Sequence, residues 1–367
     1  MLPQLTPHNS KQQTHPRSGN HPAYVRLGLG SVRQGAGRRV RARPRSSQEL
    51  KATTPDPVRG GGQGGRTQVS LNDQLFASVL KVREGKSGRR TAGYWSTAAA
   101  AGCLQKSVGR MTVQRFLNRK DLNPVLSNLV TLSGLPLAGL ELGGEVALDS
   151  TGTQTTCFGA WRETKHGESR NRHWLKVHSI VGTRTHVVIR AIVTSENSGD
   201  SPRFEPLLRW STGAVFHPRA VVGHKGYLSK SNYRLAGYFG LAAYIPFKSN
   251  SRNRVRGESS PAAWRRAFYL FQAERARFDA TYHRRSNVGS VFSAPKRKFG
   301  EEVRSRNYTV QVSEILGTLI AYNLGALVHG MFEHEIAPSF TFRKPPNVDK
   351  GRAGSGFDAH EPGEETT

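Results

Sequence analysis

Cysteine, acidic residues and long apolar runs are all scarce in this sequence of 367 residues. Its two cysteines, Cys103 and Cys157, are too few for a disulfide framework or for a zinc cluster of paired Cys-x-x-Cys motifs. No run approaches the roughly 18 apolar residues of a membrane span, and the N-terminus has no apolar segment of the signal-peptide kind. We therefore expect a protein of a reducing, cytoplasmic compartment.

The shortage of acid leaves a large positive charge. Against 54 Lys and Arg there are only 26 Asp and Glu, so the formal net charge is +28 and the sequence pI is about 10.9. A surplus of this size concentrates polyanions and is self-repelling without them, which makes nucleic acid the leading partner. Charge alone also allows a ribosomal or RNA-coating protein.

The two ends of the chain have the composition of unpacked segments. Residues 1–70 contain 12 basic and two acidic residues with few large apolar ones, and they finish in a glycine-rich linker at Gly60–Gly65. Such a segment buries too little surface to offset its ordering entropy. We predict a disordered basic arm at 1–70, which either contacts phosphates or has no role, and a disordered tail at 341–367.

Residues 71–140 have a helical pattern. An Ala-rich stretch at Ser96–Ala101 stops at Gly102, and apolar residues recur at helical spacing in Met111–Leu117 and Pro124–Leu132. Two short helices across a turn that contains glycine are typical either of a DNA-end-binding helix-turn-helix or of ordinary helical packing. The basic residues around this turn are Arg89, Arg90, Lys106, Arg110 and Arg115.

Residues 141–340 alternate between strand and helix patterns. The predicted strands are Glu145–Leu148 ending at Asp149, the hairpin Trp174–Val181 and His186–Thr194, then Ala220–Gly223 and Leu241–Pro246. The predicted helices are Phe204–Trp210, Ser229–Tyr238, Ala262–Tyr282, Ser286–Phe299 and Val310–Met331. This order predicts an α/β fold with one mixed sheet flanked by helices.

Several strings, taken in order, resemble one family. They are SGRR at Ser87–Arg90, LPLAGLELGGEVALDSTG at Leu135–Gly152, WLKVH at Trp174–His178, VVGHKGYLSKSN at Val221–Asn232, YIPFKSN at Tyr244–Asn250, YHRRSNVGSVFSAPKRKFG at Tyr282–Gly300 and the Tyr322-Asn323 pair. Together they resemble the DDE-type transposases of bacterial insertion sequences, which carry a Tyr-x2-Arg-x3-Glu-x6-Lys signature. The resemblance runs from about Val82 to Phe340.

The resemblance implies a ribonuclease H-like catalytic domain that acts on DNA. Its reaction would be hydrolysis of strands at the ends of a mobile element, followed by transfer of the 3′-hydroxyl to target DNA. Double-stranded DNA, at element ends and target, would be the partner of a nucleoid-associated protein, with a homodimer in the synaptic complex. The cofactor would be Mg²⁺ or Mn²⁺, because two such ions activate the attacking oxygen and stabilise the leaving one.

The resemblance also locates three metal-binding carboxylates, of which this chain keeps one. Hard cations prefer carboxylate oxygens, and Asp149 stands at the first position. His224 occupies the place of the Asp in an Asp-Lys-Gly-Tyr string, and Gly289 occupies the place of the signature Glu. One carboxylate is not expected to hold two ions, so we expect this copy to be impaired in cleavage.

Compensation for the missing carboxylates has several candidates. Imidazole suits Zn²⁺ or Mn²⁺ better than Mg²⁺, so His224 is a candidate replacement ligand. Asp200, Glu274 and Asp279 are candidate substitutes by their place in the sequence, although surface carboxylates on a basic protein are usually solvated charges. The helix at Ser286–Phe299 contains both Gly289 and Pro295, which disfavour a helix.

The basic residues of the signature are better preserved than the acidic ones. Between Lys248 and Arg306 there are 15 basic and five acidic residues, a local surplus of ten. By resemblance Tyr282, Arg285 and Lys296 would hold DNA phosphates near the metals, since Arg suits forked phosphate contacts. The other predicted DNA contacts are Lys225, Arg297 and Lys298.

Neither histidines nor cysteines indicate a further site. His166, His173, His178 and His186 have no neighbouring Cys or paired carboxylate, so structural or exposed roles are expected. Cys157 belongs to no recognisable Cys-His-Asn pattern. The function predicted is DNA transposition by an impaired enzyme. The alternatives are a non-catalytic DNA-binding protein derived from a transposase, such as a repressor, and a decayed gene product.

Overall fold

The computed structural model describes residues 69–155, 174–212, 216–252 and 260–340. The arm up to residue 68, the tail from residue 341, and Cys157, His166 and His173 lie outside the described residues.

Eleven α-helices and five strands make up the described part of the chain. The helices are α1 (Leu71–Glu84), α2 (Gly88–Ala100), α3 (Arg110–Leu117), α4 (Leu122–Gly134), α5 (Ala138–Glu141), α6 (Phe204–Thr212), α7 (Lys230–Tyr238), α8 (Ala262–Ala273), α9 (Arg275–Tyr282), α10 (Ser286–Phe299) and α11 (Tyr308–Glu333). The strands are β1 (Glu145–Gln154), β2 (Trp174–Gly182), β3 (Val188–Ser195), β4 (Ala220–Gly223) and β5 (Ala242–Tyr244).

The five strands form one mixed sheet in the order β3-β2-β1-β4-β5. β1, β2 and β3 pair antiparallel, whereas β4 lies parallel to β1 and β5 lies parallel to β4. Helices cover both faces of this sheet. The prediction of an α/β, ribonuclease H-like fold is confirmed.

Alternation along the strands divides the interior into two apolar layers. On β1, Val146 and Leu148 point into the layer that contains α6, α7 and α8, while Ala147 points into the layer that contains α1 to α4 and α11. Val221 and Val222 divide in the same way on β4, because successive strand side chains face opposite sides. The helices of residues 71–134 therefore pack directly on the sheet, and the predicted division at residue 140 stays a prediction.

β1 extends further than predicted. Its parallel pairing with β4 ends at the Leu148–Gly223 pair, but its antiparallel pairing with β2 continues to Gln154. The sequence pattern predicts Asp149 at the end of this strand. In the structure Asp149 lies within the strand. The physical effect is that Asp149 lies at the point where β4 leaves the sheet, which opens one side of β1 to other side chains.

The predicted helix at Ala262–Tyr282 is in fact two helices. The chain breaks at Glu274, whose φ of −123° and ψ of 53° are not helical. Apolar residues continue on both sides of the break, and Phe271 and Phe278 meet edge to face at 5.0 Å across it. The apolar pattern alone therefore could not show the interruption. α10, in contrast, runs through Pro295.

α11 is the longest helix, and its length and apolar composition would suffice for a membrane span. In this fold it packs in the interior against α1 and α4, with residues such as Leu316 and Ile320 buried. Asn323 at its centre is fully buried, and its side-chain amide accepts from the Val188 N–H and donates to the carbonyls of Val130 and Val188. These bonds join α11, α4 and β3, as expected of a helix whose polar groups are buried and paired in a protein core.

Candidate active site

Asp149 and His224 meet where β1 and β4 separate. Each follows one member of the Leu148–Gly223 pair, so neighbouring strands deliver both side chains to the same edge. The His224 Nε2 atom lies 3.6 Å from the Asp149 Oδ1 atom. Both side chains are mostly buried, with exposed fractions of 25% and 16%.

Arg285 reaches this edge from the segment between α9 and α10. Its Nη2 atom donates to Asp149 Oδ2 at 2.8 Å. Burial alone would lower the pKa of Arg285, but Asp149 and Tyr282 raise it above its ordinary value, so the guanidinium stays charged. One carboxylate oxygen of Asp149 is therefore occupied by a hydrogen bond from the Arg285 guanidinium.

His224 has a defined hydrogen-bonding pattern. Its Nδ1 atom accepts from the Gly226 N–H at 2.9 Å, so Nδ1 carries no proton and the ring proton of the neutral imidazole is on Nε2. Burial lowers the pKa of His224, and the nearby Asp149 and Asp200 offset this only in part. A Cβ atom on Gly226 would lie 2.4 Å from His224 Cε1, so the glycine makes room for the ring.

Asp200 is the second carboxylate of the site. Its Oδ2 atom lies 3.6 Å from His224 Nε2, and its Oδ1 atom lies 2.9 Å from Lys176 Nζ and 3.1 Å from His178 Nδ1. Burial would raise the pKa of Asp200, but Lys176 and Ser150 hold it below its ordinary value. The imidazole of His224 therefore lies between the carboxylates of Asp149 and Asp200.

The charges of the cluster are already balanced by side chains. Asp149 contacts Arg285, and Asp200 contacts Lys176, so each carboxylate has its own cation. A pair of divalent ions is normally held by carboxylates whose negative charge the ions neutralise. The charge that would attract such ions is largely cancelled here.

Gly289 lies on α10, one helical turn beyond Arg285. It brings no side chain to the cluster, and a Cβ atom built on it would meet no atom within 4 Å. The space around position 289 can therefore accept a longer side chain. Whether this position faces Asp149 and His224, as the spacing predicts, stays a prediction.

The comparison with protein families supplies the context for this geometry. The model of the transposase DDE domain matches residues 142–324, which runs from just before β1 into α11 and includes Asp149, His224 and Gly289. The chain belongs to the DDE-type transposases. The family is concerned with DNA transposition, its substrate is DNA, and it generally uses a divalent metal.

The residues of this transposase-family site do not fit a pair of Mg²⁺ ions. Asp149 has one oxygen on Arg285, His224 directs an N–H at two carboxylates, and position 289 has no ligand atom. Throughout the described ranges no group of three His, Cys, Asp or Glu side chains has the arrangement of a metal site. We therefore derive no catalytic step through a metal.

Tyr282, Arg285 and Lys296, three of the predicted DNA-contacting residues of the transposase domain, lie beside the cluster or along β1. Lys296 donates from Nζ to the Gly152 carbonyl of β1 at 2.8 Å, and the Tyr282 hydroxyl accepts from Arg285 Nη1 at 3.4 Å. The other three predicted contacts are exposed around this region, Lys225 beside His224 and the pair Arg297 and Lys298 in the last turn of α10. Their contact with DNA stays a prediction.

Sequence reasoning underrated Asp200 and missed Lys176 and His178. Asp200 appeared only as one of three substitutes, whereas the structure brings it to His224; Glu274 and Asp279 instead pair with arginines on α9. Lys176 and His178 alternate on β2, directly beside β1, so both face the same side as Asp200. The WLKVH string carried this signal, but nothing in it indicated which carboxylate it would meet.

Proposed function

We propose that this protein binds duplex DNA as a member of the transposase family and is inactive or severely impaired in Mg²⁺-dependent strand cleavage. The observation that carries the proposal is the position of His224, a neutral imidazole wedged between Asp149 and Asp200 while Arg285 holds the outer oxygen of Asp149. The net charge of +28 supports the DNA-binding part.

The size of the expected defect follows from the chemistry. Two metal ions clamp the attacking and leaving oxygens, and each supplies several kcal/mol of transition-state stabilisation. Since each 1.36 kcal/mol corresponds to about a tenfold change in rate, loss of even one ion slows cleavage by orders of magnitude. DNA binding depends on phosphate contacts and does not share this loss.

The ancestral activity would be cutting at element ends and strand transfer, and the present one a non-catalytic occupation of such DNA. A repressor of related elements fits this description. A decayed gene product without a role would contain the same cluster of Asp149, His224 and Asp200. DNA binding that is specific for element ends would distinguish a repressor from such a product.

The test rebuilds the acidic set. The double variant His224→Asp with Gly289→Glu restores both carboxylates, and Pro295→Ile is added in a second version because Pro295 interrupts the hydrogen bonding of α10. Wild type and variants are compared for Mg²⁺-dependent nicking of a duplex that carries the flanking terminal repeats. We expect no detectable nicking by wild type and measurable nicking by a rebuilt variant.

Two controls make the result specific. His329→Asp with Gly139→Glu makes the same residue changes at exposed positions outside the cluster and should stay inactive. Asp149→Ala in the rebuilt background should abolish nicking. If wild type nicks as fast as the rebuilt protein, the assignment of lost ligands is wrong. Activity in Mn²⁺ that disappears in His224→Ala would show that His224 serves as a ligand and would contradict a non-catalytic role.

A further inference from the structure

A groove lined by basic residues lies between the helical region and the segment that precedes α11. It has a volume of about 960 Å³ and adjoins a smaller hollow of about 400 Å³ that shares part of its lining. The basic residues used below, which define the basic groove, are Lys86, Arg89, Arg90, Arg110, Arg304 and Arg306. Glu302 is the one acidic side chain in the described lining.

Three helices begin at the basic groove. Gly88 starts α2, Arg110 starts α3, and Asn307 is the cap residue before α11. The first two starts are in tight contact, because a Cβ atom on Gly88 would lie 2.8 Å from Arg110 Cγ. Each helix start carries a partial positive charge from its backbone N–H groups, so backbone and side chains give the groove the same sign.

The arginines of the basic groove are not paired with carboxylates, unlike several exposed arginines elsewhere in the described chain. Arg119, Arg209 and Arg277 each pair with a carboxylate at 3.0 Å or less. In contrast, the guanidinium groups of Arg89, Arg90, Arg110, Arg304 and Arg306 have no carboxylate within 4.0 Å among the described residues. All five are exposed.

Exposed like charges around one concavity repel each other unless an anion lies between them. The lining offers little to a protein partner, because Val310 and Trp95, its large apolar members, are themselves buried. The central anchors of protein interfaces are commonly Trp or Tyr beside Arg, and the described lining exposes no Trp or Tyr. The sugar–phosphate backbone of DNA is bound mainly by cationic side chains and by polar groups such as backbone N–H.

The segment that follows α10 connects β1, the strand that carries Asp149, to the basic groove. Lys296, near the end of α10, contacts Gly152 on β1, and Glu302 pairs with Gln154 at the end of the same strand. The chain then reaches Arg304 two residues after Glu302 and Arg306 four residues after it. The same segment therefore links Lys296, a predicted DNA contact, to the groove arginines Arg304 and Arg306.

We propose that the basic groove binds the phosphate backbone of duplex DNA that extends beyond the candidate active site. The inference rests on the proposed DNA binding and adds a second contact surface, built jointly by α2, α3 and the segment before α11. Its contacts are to phosphates, so it strengthens binding to all sequences alike.

The test removes three groove cations and measures the salt dependence of binding to a random-sequence duplex of about 40 base pairs. Each phosphate contact contributes about 0.9 to the slope of log affinity against log salt. Arg90→Ala, Arg304→Ala and Arg306→Ala together should make the slope shallower by about 2.7. At 0.1 M salt each contact then accounts for about eightfold in affinity, and the triple variant should bind about 500-fold more weakly.

The matched control is Arg119→Ala, Arg209→Ala and Arg277→Ala, which removes the same charge from paired positions and should leave the slope near that of wild type. Thermal melts followed by circular dichroism verify that both triple variants fold. A second arm, Arg285→Ala with Lys296→Ala, reports on the site itself.

The outcomes separate the two proposals. If the groove variant keeps the wild-type slope while the Arg285 and Lys296 variant loses slope, the groove proposal is overturned and DNA binding by the site stands. If wild type shows no salt-dependent binding at low salt, the proposed function fails and the groove proposal fails with it. An equal loss in the control triple variant would assign the effect to net charge and would also overturn the groove.

Discussion

The stability of this fold should depend on pH through His178. This side chain is fully buried on β2, with Nε2 against the Thr194 hydroxyl and Nδ1 against Asp200. Burial lowers its pKa from 6.5 to about 4, because the attraction of Asp200 does not offset the loss of hydration and the repulsion from Lys176 and Arg203. The native protein therefore keeps His178 neutral where the unfolded chain would protonate it.

The sign and size follow from linkage. Above pH 7 the imidazole is neutral in both states and has no effect on stability. As the pH falls through 6.5 the unfolded chain binds a proton that the folded chain does not, so the free energy of unfolding decreases until the pH reaches about 4. The full loss is about 3 kcal/mol, and between pH 7.5 and pH 5 it is about 2 kcal/mol.

The assay is urea unfolding at pH 7.5 and pH 5 for wild type and His178→Gln. Glutamine cannot titrate, so the variant should lose about 2 kcal/mol less than wild type over this interval. His329→Gln is the matched control, since His329 is 73% exposed on α11 and its removal should leave the wild-type pH dependence unchanged. If His178→Gln loses as much stability as wild type on acidification, burial of a neutral His178 is the wrong explanation.

Two further predictions concern the packing of the site and of the core. Asn323→Leu removes the amide that bonds to Val130 and Val188 and leaves the buried Val188 N–H without its acceptor, so we expect a loss of about 1–3 kcal/mol in urea unfolding; an unchanged free energy of unfolding would contradict this role. Gly226→Ala places a Cβ atom 2.4 Å from His224 Cε1, and we expect a loss of about 1–3 kcal/mol that is at least halved in a His224→Ala background. Equal losses in both backgrounds would show that the ring does not require the glycine.

The sequence by itself determined the class of fold and most of its elements. Apolar alternation identified all five strands, because each has one or both faces in the core and the pattern follows the pleat. The ordered strings identified the family, and the family-model match over residues 142–324 bears this out. The departures at His224 and Gly289 were also visible, since residue identity needs no coordinates.

Only the tertiary structure decided which side chains of the site contact each other. Asp200 is 51 residues beyond Asp149 in the chain, and nothing local predicts that both carboxylates flank His224. The break at Glu274 and the extension of β1 past Asp149 depend on partners in other elements, which periodicity within one segment cannot register. The composition shows that the protein is basic. Only the distances between side chains show which Lys and Arg residues pair with a carboxylate. The basic groove arises because three helix starts and the segment before α11 meet in space, and this meeting is fixed by the packing of α11 on α1 and α4.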